Sequence, residues 1–168
     1  MRIFVLILIF FISLITTSNA TSDDKIAFID LNFILAESLT GKKILNDLNN
    51  INKKNMDKFK LEEEKLEKEK NDIKKLKNIL STDEYNRKIE EFKKKVNDYN
   101  LIKKRTIKSF EEAKNKELNI FFNNLNQIMN NYMVKNSISV ILDKKNIIIA
   151  KVENDISKEI LKIVNQNE

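Results

Sequence analysis

Apolar positions along this chain change their spacing from segment to segment, and each change predicts a different element. Ile3 to Ile15 is apolar apart from Ser13. Lys25-Ile26-Ala27-Phe28-Ile29-Asp30, bounded by Asp23-Asp24, is a short β-branched and aromatic run and reads as a strand. Asn32 to Ser38 fits a brief helical turn, and Thr40-Gly41 punctuates it.

From Lys42 to Leu80 the period is helical. Leu45, Phe59, Leu66, Ile73 and Leu80 hold a seven-residue spacing, with Asn52 in the missing place. Further on, Tyr85, Ile89, Phe92, Val96 and Tyr99 step by four and three, which keeps one stripe against a partner helix in a left-handed coiled coil. The stripe lapses at Lys103 and Thr106 and resumes with Phe110, Phe121, Leu125, Ile128 and Tyr132. Asn55, Glu62 and Glu69 also stand where a good seam wants Leu, while Leu61, Ile102 and Ile107 lie off the stripe.

Between the two helices, Ser81 with Glu84 three residues on matches a capping box, in which each side chain satisfies an orphan backbone donor. A break there makes an antiparallel hairpin with its tip near 81–82, placing Ile73 near Glu90 and Leu45 near Leu118. At 1.5 Å per residue the arms are about 60 and 80 Å long, so the excess of the second arm, 119–135, is expected to pack on strand material. Outward pairs four apart, Glu64 with Lys68, Glu90 with Lys94, Glu91 with Lys95 and Glu112 with Lys116, solvate the arms.

After Asn136 the period shortens to two. Ile138, Val140 and Leu142 alternate, Asp143 to Asn146 reads as a turn, and Ile147-Ile148-Ile149-Ala150 runs apolar, which predicts a β-hairpin. Asp155 can cap a last helix with Ile156, Ile160, Ile163 and Val164 on one face. The predicted fold class is α+β: a long antiparallel helical hairpin, 41–136, on a small β-rich body from 21–40 and 137–168. Three short strands and a broken seam bury little on their own, so oligomerisation through the sheet follows.

Composition narrows the chemistry. The chain has 168 residues with no His, Cys, Pro or Trp and one Gly. That removes Cys/His zinc sites, thiol nucleophiles, disulfides and phosphate-cradling loops. Adjacent carboxylates such as Glu90-Glu91 and Glu111-Glu112 diverge around a helix with nothing apolar to raise a pKa, so no catalytic group, metal or cofactor is expected. The net charge of +6 is spread among alternating acids, which argues against nucleic acid. Acidic clients or anionic lipid suit it better.

Met1-Arg2, the apolar run and Ser18-Asn19-Ala20 form a secretory signal, with cleavage expected after Ala20. The run is shorter than the roughly 20 residues of a spanning helix.

The opening strand, the Thr40-Gly41 step into a charged hairpin, and a tail of Ile138-Ser139-Val140-Ile141-Leu142-Asp143, Ile147-Ile148-Ile149-Ala150 and Asp155-Ile156-Ser157-Lys158-Glu159-Ile160-Leu161 together resemble the Skp/OmpH family of periplasmic chaperones. The resemblance implies a homotrimer whose strands build a common body and whose hairpins enclose a cavity. By the same resemblance, that cavity would hold unfolded outer-membrane β-barrel proteins without ATP. Ile26, Phe28, Val140, Leu142 and Ile148 are then body residues. Phe59, Leu66, Ile73, Tyr85, Ile89, Phe92, Val96 and Tyr99 are the hairpin seam, and Leu61, Ile102 and Ile107 are candidate client contacts. Family members are also described as binding lipopolysaccharide, for which Lys103, Lys104 and Arg105 are the candidate cluster. A structural coiled-coil tether of the cell envelope is the alternative reading.

Overall fold

The computed structural model describes residues 25–166. The expected leader and cleavage site lie outside them. Strand β1 (Lys25–Ile29) is followed by the short helix α1 (Leu31–Glu37) and the first arm, α2 (Leu39–Lys75). A turn of 3₁₀ helix, Leu76–Asn78, ends that arm, and the second arm, α3 (Thr82–Lys135), runs back. Strand β2 (Ile138–Asp143) and helix α4 (Ser157–Gln166) close the chain.

The start of α3 is a complete capping box: Ser81 Oγ accepts from the Glu84 amide, and Glu84 accepts from the Ser81 amide. The Ser81 hydroxyl and amide hold the Glu84 carboxyl below the usual carboxylate range. With the tip fixed there, the arms meet in the register the break dictates. Glu63 faces Tyr99, and Glu69 pairs with Lys95 across the arms at 2.6 Å.

Ser38 serves two helices. Its amide donates to the Ile34 carbonyl to close α1, and its Oγ accepts from the Gly41 amide at 3.1 Å to open α2. The break therefore falls at Ser38, and Gly41 lies inside α2 rather than in a turn. Glycine is required for a different reason: a Cβ at Gly41 would stand 2.0 Å from the Leu35 carbonyl oxygen. Asn165 on α4 reaches the same corner, accepting from the Leu39 amide at 3.0 Å.

The sheet has two parallel strands, with Ile26 beside Val140, Ala27 beside Ile141 and Phe28 beside Leu142. Ala27 and Ile29 face the core, where Ile34, Phe121, Leu125, Ile138, Ile156, Ile160 and Val164 are buried with them. The base of α3 supplies Phe121 and Leu125, with Ile128, Met129, Tyr132 and Met133 packed around them, so the excess of the longer arm does cover the strands.

Two further sequence expectations fail. Residues 147–150 form no strand, so the β-hairpin is replaced by a parallel pair between the two ends of the chain. Lys144–Asn146 instead make a 3₁₀ turn capped by the Asp143 side chain, and Lys144 is drawn to Asp155 at 3.1 Å. The second edge of β1 is taken by 155–156, since the Phe28 carbonyl accepts from the Ile156 amide at 3.0 Å. The arm ion pairs also differ. Glu62–Lys65, Glu67–Lys70, Asp72–Lys75, Glu90–Lys93 and Glu111–Lys114 are three apart, and Lys95 leaves Glu91 for Glu69 on the other arm.

Candidate functional site

Two regions leave apolar surface uncovered: a sheet face in the body and the space between the arms. In a parallel pair, registered neighbours point to the same side. Ile26, Phe28, Val140 and Leu142 therefore share the face turned away from the core. Phe28 is buried, but Ile26, Val140 and Leu142 are each more than 40% exposed. Beyond β2, Ile148 and Ile149 are almost fully exposed, at 98% and 90%. Parallel strands are found with both faces covered, and this pair has one.

The seam residues lie where α2 and α3 meet. Phe59 and Ile73 are buried, and Leu66, Tyr85, Ile89, Phe92, Val96 and Tyr99 are half-buried. Halfway along, a polar clasp replaces apolar packing. The Tyr99 hydroxyl and the Lys103 ammonium both donate to Glu63 Oε1 at 2.6 Å. The ammonium also lies 5.4 Å from the centroid of the Phe59 ring and 5.7 Å from that of Tyr99. Lys103 first, then Tyr99, holds the Glu63 carboxyl below its ordinary range. Burial and the Glu63 contact raise the Tyr99 hydroxyl, and the hydrogen bond to Glu63 raises the Lys103 ammonium. The sequence-level lapse at Lys103 is thus a cross-arm contact. Of the basic cluster, Lys103 is engaged in this way, while Lys104 and Arg105 are exposed.

Toward the body the arms part. A cleft of about 840 Å³ opens between Ile44, Leu48 and Ile51 on α2 and Ile120, Phe121 and Ile128 on α3. A second, of about 410 Å³, lies on the tip side of Leu48 and runs to Phe59, with Asn49, Asn52 and Asn55 along its α2 wall. Asn52 and Asn55 were visible in the sequence as breaks in the seam. In the structure they line open space, with Ile107 and Phe110 of α3 on the other side of the cleft. Leu61, Ile102 and Ile107 are 55%, 59% and 48% exposed on the arms, and Ile107 borders the second cleft.

A third set of residues locks the body and carried no sequence signal beyond the Asp155 cap. Ser157 is buried; its Oγ accepts from the Asp30 amide at 2.8 Å and donates to Asp155 Oδ1. Burial pushes the Asp155 carboxyl up, but the Ser157 hydroxyl and amide together with Lys144 outweigh it and leave the group below its usual range. Among the described residues there is no cluster of His, Cys, Asp and Glu fit for a metal ion, and no helix long and apolar enough to cross a membrane.

No curated protein matches the chain in sequence. A crystal structure of a candidate outer membrane chaperone (OmpH-like) from Caulobacter crescentus CB15 shares its fold. The TM-score is 0.75 over 85% of each chain, at 18% identity. The sequence pattern of the outer membrane protein (OmpH-like) family matches residues 25–164, from the first residue of β1 into α4. Two long arms over a small parallel sheet made from the chain's two ends, with that pattern running through all of them, place the chain in the OmpH-like family.

Proposed function

We propose that this protein is an ATP-independent holding chaperone of the periplasm that binds unfolded outer-membrane β-barrel proteins as a homotrimer. One observation carries the reading: the body alone has a packed apolar core, while the arms keep Leu61, Ile102 and Ile107 about half exposed among Lys and Glu. A well-packed rod has no reason to leave such groups in water. Scattered apolar points on charged walls make many weak contacts with an unfolded chain, whose exposed apolar side chains alternate. Binding the unfolded state in this way withdraws it from aggregation by mass action.

The trimer is supported by the uncovered sheet face. Ile26, Val140 and Leu142, with Ile148 beyond them, would be covered by neighbouring copies. Such a face costs about 25 cal/mol for each Å² left in water. Export rests on the N-terminal signal pattern. Anionic lipid or lipopolysaccharide is a further ligand within this reading, through Lys104 and Arg105 more than through Lys103, whose charge Glu63 already meets. Periplasmic position and net positive charge would favour acidic clients over nucleic acid.

The test is to dilute a urea-denatured outer-membrane β-barrel protein into the purified exported chain, Thr21–Glu168, and to follow size exclusion with light scattering. A soluble complex of three copies with one client is expected, beside a client-free peak of three copies. Precipitation of the client with this protein eluting unchanged would overturn the holding function and leave the envelope tether.

A further inference from the structure

The smaller inter-arm cleft combines three properties that the larger cleft does not combine. It is lined by apolar groups at both ends, Leu48 and Phe59, and by Phe110 opposite. It is electrically neutral: its two charged lining residues, Glu111 and Lys114, are paired with each other at 3.4 Å. Along its α2 wall stand three amides, Asn49, Asn52 and Asn55, which make no side-chain hydrogen bond among the described residues. Their backbone groups are spent within the helix, so each free amide offers both donors and an acceptor to whatever enters. The larger cleft differs, since Lys43, Asp47 and Glu117 line it and none of them is in an ion pair among the described residues.

Neutrality in a chain of net charge +6 selects against a charged headgroup. An acyl chain would cover the apolar walls and strip water from three amides without replacing it, which is costly. An extended polypeptide does both jobs, because its apolar side chains meet Leu48, Phe59 and Phe110 while its backbone N–H and C=O groups meet the amides. The reach fits as well. From Leu48 to Phe59 the cleft follows about 17 Å of helix axis, the length of about five extended residues.

We infer that the cleft between Leu48 and Phe59 is a peptide-binding site that takes an uncharged, extended segment of about five residues of a client chain within a single hairpin. The inference rests on the holding function proposed above and adds a site inside one hairpin to the space between hairpins. Asn52 and Asn55 then stand in the seam to keep it open for a backbone, where Leu would zip it shut.

The test places a photo-crosslinking phenylalanine analogue at Asn52, and for comparison at Asn50, which is exposed on the same helix but outside the cleft. The probe is a urea-denatured outer-membrane β-barrel protein diluted into the labelled chain. Labelling of the client is expected from position 52 at about tenfold the yield from position 50, as for a tenfold difference in affinity. A parallel variant, Asn52→Leu with Asn55→Leu, should melt several degrees higher and hold the client about tenfold more weakly. If the unsubstituted protein holds the client but positions 52 and 50 label it equally, the site is wrong and the holding function stands. If it holds no client at all, the function fails and the site with it. Self-crosslinks from position 52 without client would show that a second copy fills the cleft, which also overturns the proposal. The crosslinking arm decides the matter even if the double-Leu variant fails to fold.

Discussion

The body and the arms of this molecule are held by opposite means. In the body, a few side chains each do several things at once: Ser38 closes one helix and opens the next, and Ser157 ties Asp30 to Asp155. Its core residues Ile34 and Ile160 are entirely buried, and no buried side-chain polar atom among the described residues lacks a partner. The arms instead rely on helix propensity, capping and exposed ion pairs worth a few tenths of a kcal/mol each. They touch through a half-buried stripe that opens into clefts. Rigidity is thus concentrated where the chain's ends meet, and adaptability is left to the parts that project.

Matched truncations should expose that contrast most strongly. Ile160→Ala in the body is expected to cost about 4 kcal/mol in urea unfolding, in the range of buried Ile-to-Ala changes. Leu66→Ala on the half-buried seam is expected to cost about 1 kcal/mol. Equal costs would mean that the arms are packed as tightly as the body. Next in size is Gly41→Ala. Helix propensity alone would favour it by about 1 kcal/mol, but the new methyl meets the Leu35 carbonyl, and overpacking of this kind costs about 3 kcal/mol. The sign of the measured change therefore tests whether α1 and α2 are really pressed together at Ser38. Ser157→Ala leaves the Asp30 amide without its partner and removes one of the hydrogen bonds to the Asp155 carboxylate, and about 2 kcal/mol should be lost. Threonine at the same position, which keeps the hydroxyl, should recover most of that loss.

The smallest effect belongs to the clasp and is one of geometry more than stability. The lowered Glu63 pKa means that its contribution to arm pairing is present above the ordinary carboxylate range and is lost as pH falls through the folded-state pKa. The raised Lys103 pKa gives a contribution present below the ordinary lysine range and lost as pH rises through the higher folded value. Arm spacing should then be constant through neutral pH and broaden at both extremes. Since the chain has no cysteine, spin labels on Lys58→Cys and Asn100→Cys report that spacing directly. Glu63→Gln should show the broadened distribution at neutral pH while the melting temperature stays put.

Much of the architecture was legible because it is local. The capping box at Ser81, the seven-residue stripe and the alternation in 138–142 each fix an element from neighbours a few residues away. The fold point at 81–82 also fixes the cross-arm register, so Glu63 opposite Tyr99 was within reach of the sequence. The run 147–150 misled because β-branched, apolar residues state a preference for extended backbone but not for a partner. Which strand β2 pairs with, and in which direction, is decided by β1 at the far end of the chain. The Ser157 lock was invisible for the same reason. The clefts were half legible: Asn52 and Asn55 marked a weak seam, but whether the arms close over them depends on what α3 brings opposite.

Asp30 and Ser157 hydrogen-bond across 127 residues of sequence. In an unstructured chain, bringing such distant points together costs conformational entropy that grows with loop length and slows folding. Here the intervening segment is two antiparallel helices capped at Ser81, each able to form from local contacts as it is made. Once they pair, β1 and β2 are delivered side by side, so the hairpin is the device that closes the loop. During synthesis β1 is complete long before β2 exists, and its apolar residues have no partner strand until the second arm has been finished. Assembly of the body is therefore timed by the arms: an insertion at the tip that leaves both helices intact should hardly change the folding rate, whereas a helix break in either arm should slow formation of the sheet at the other end of the molecule.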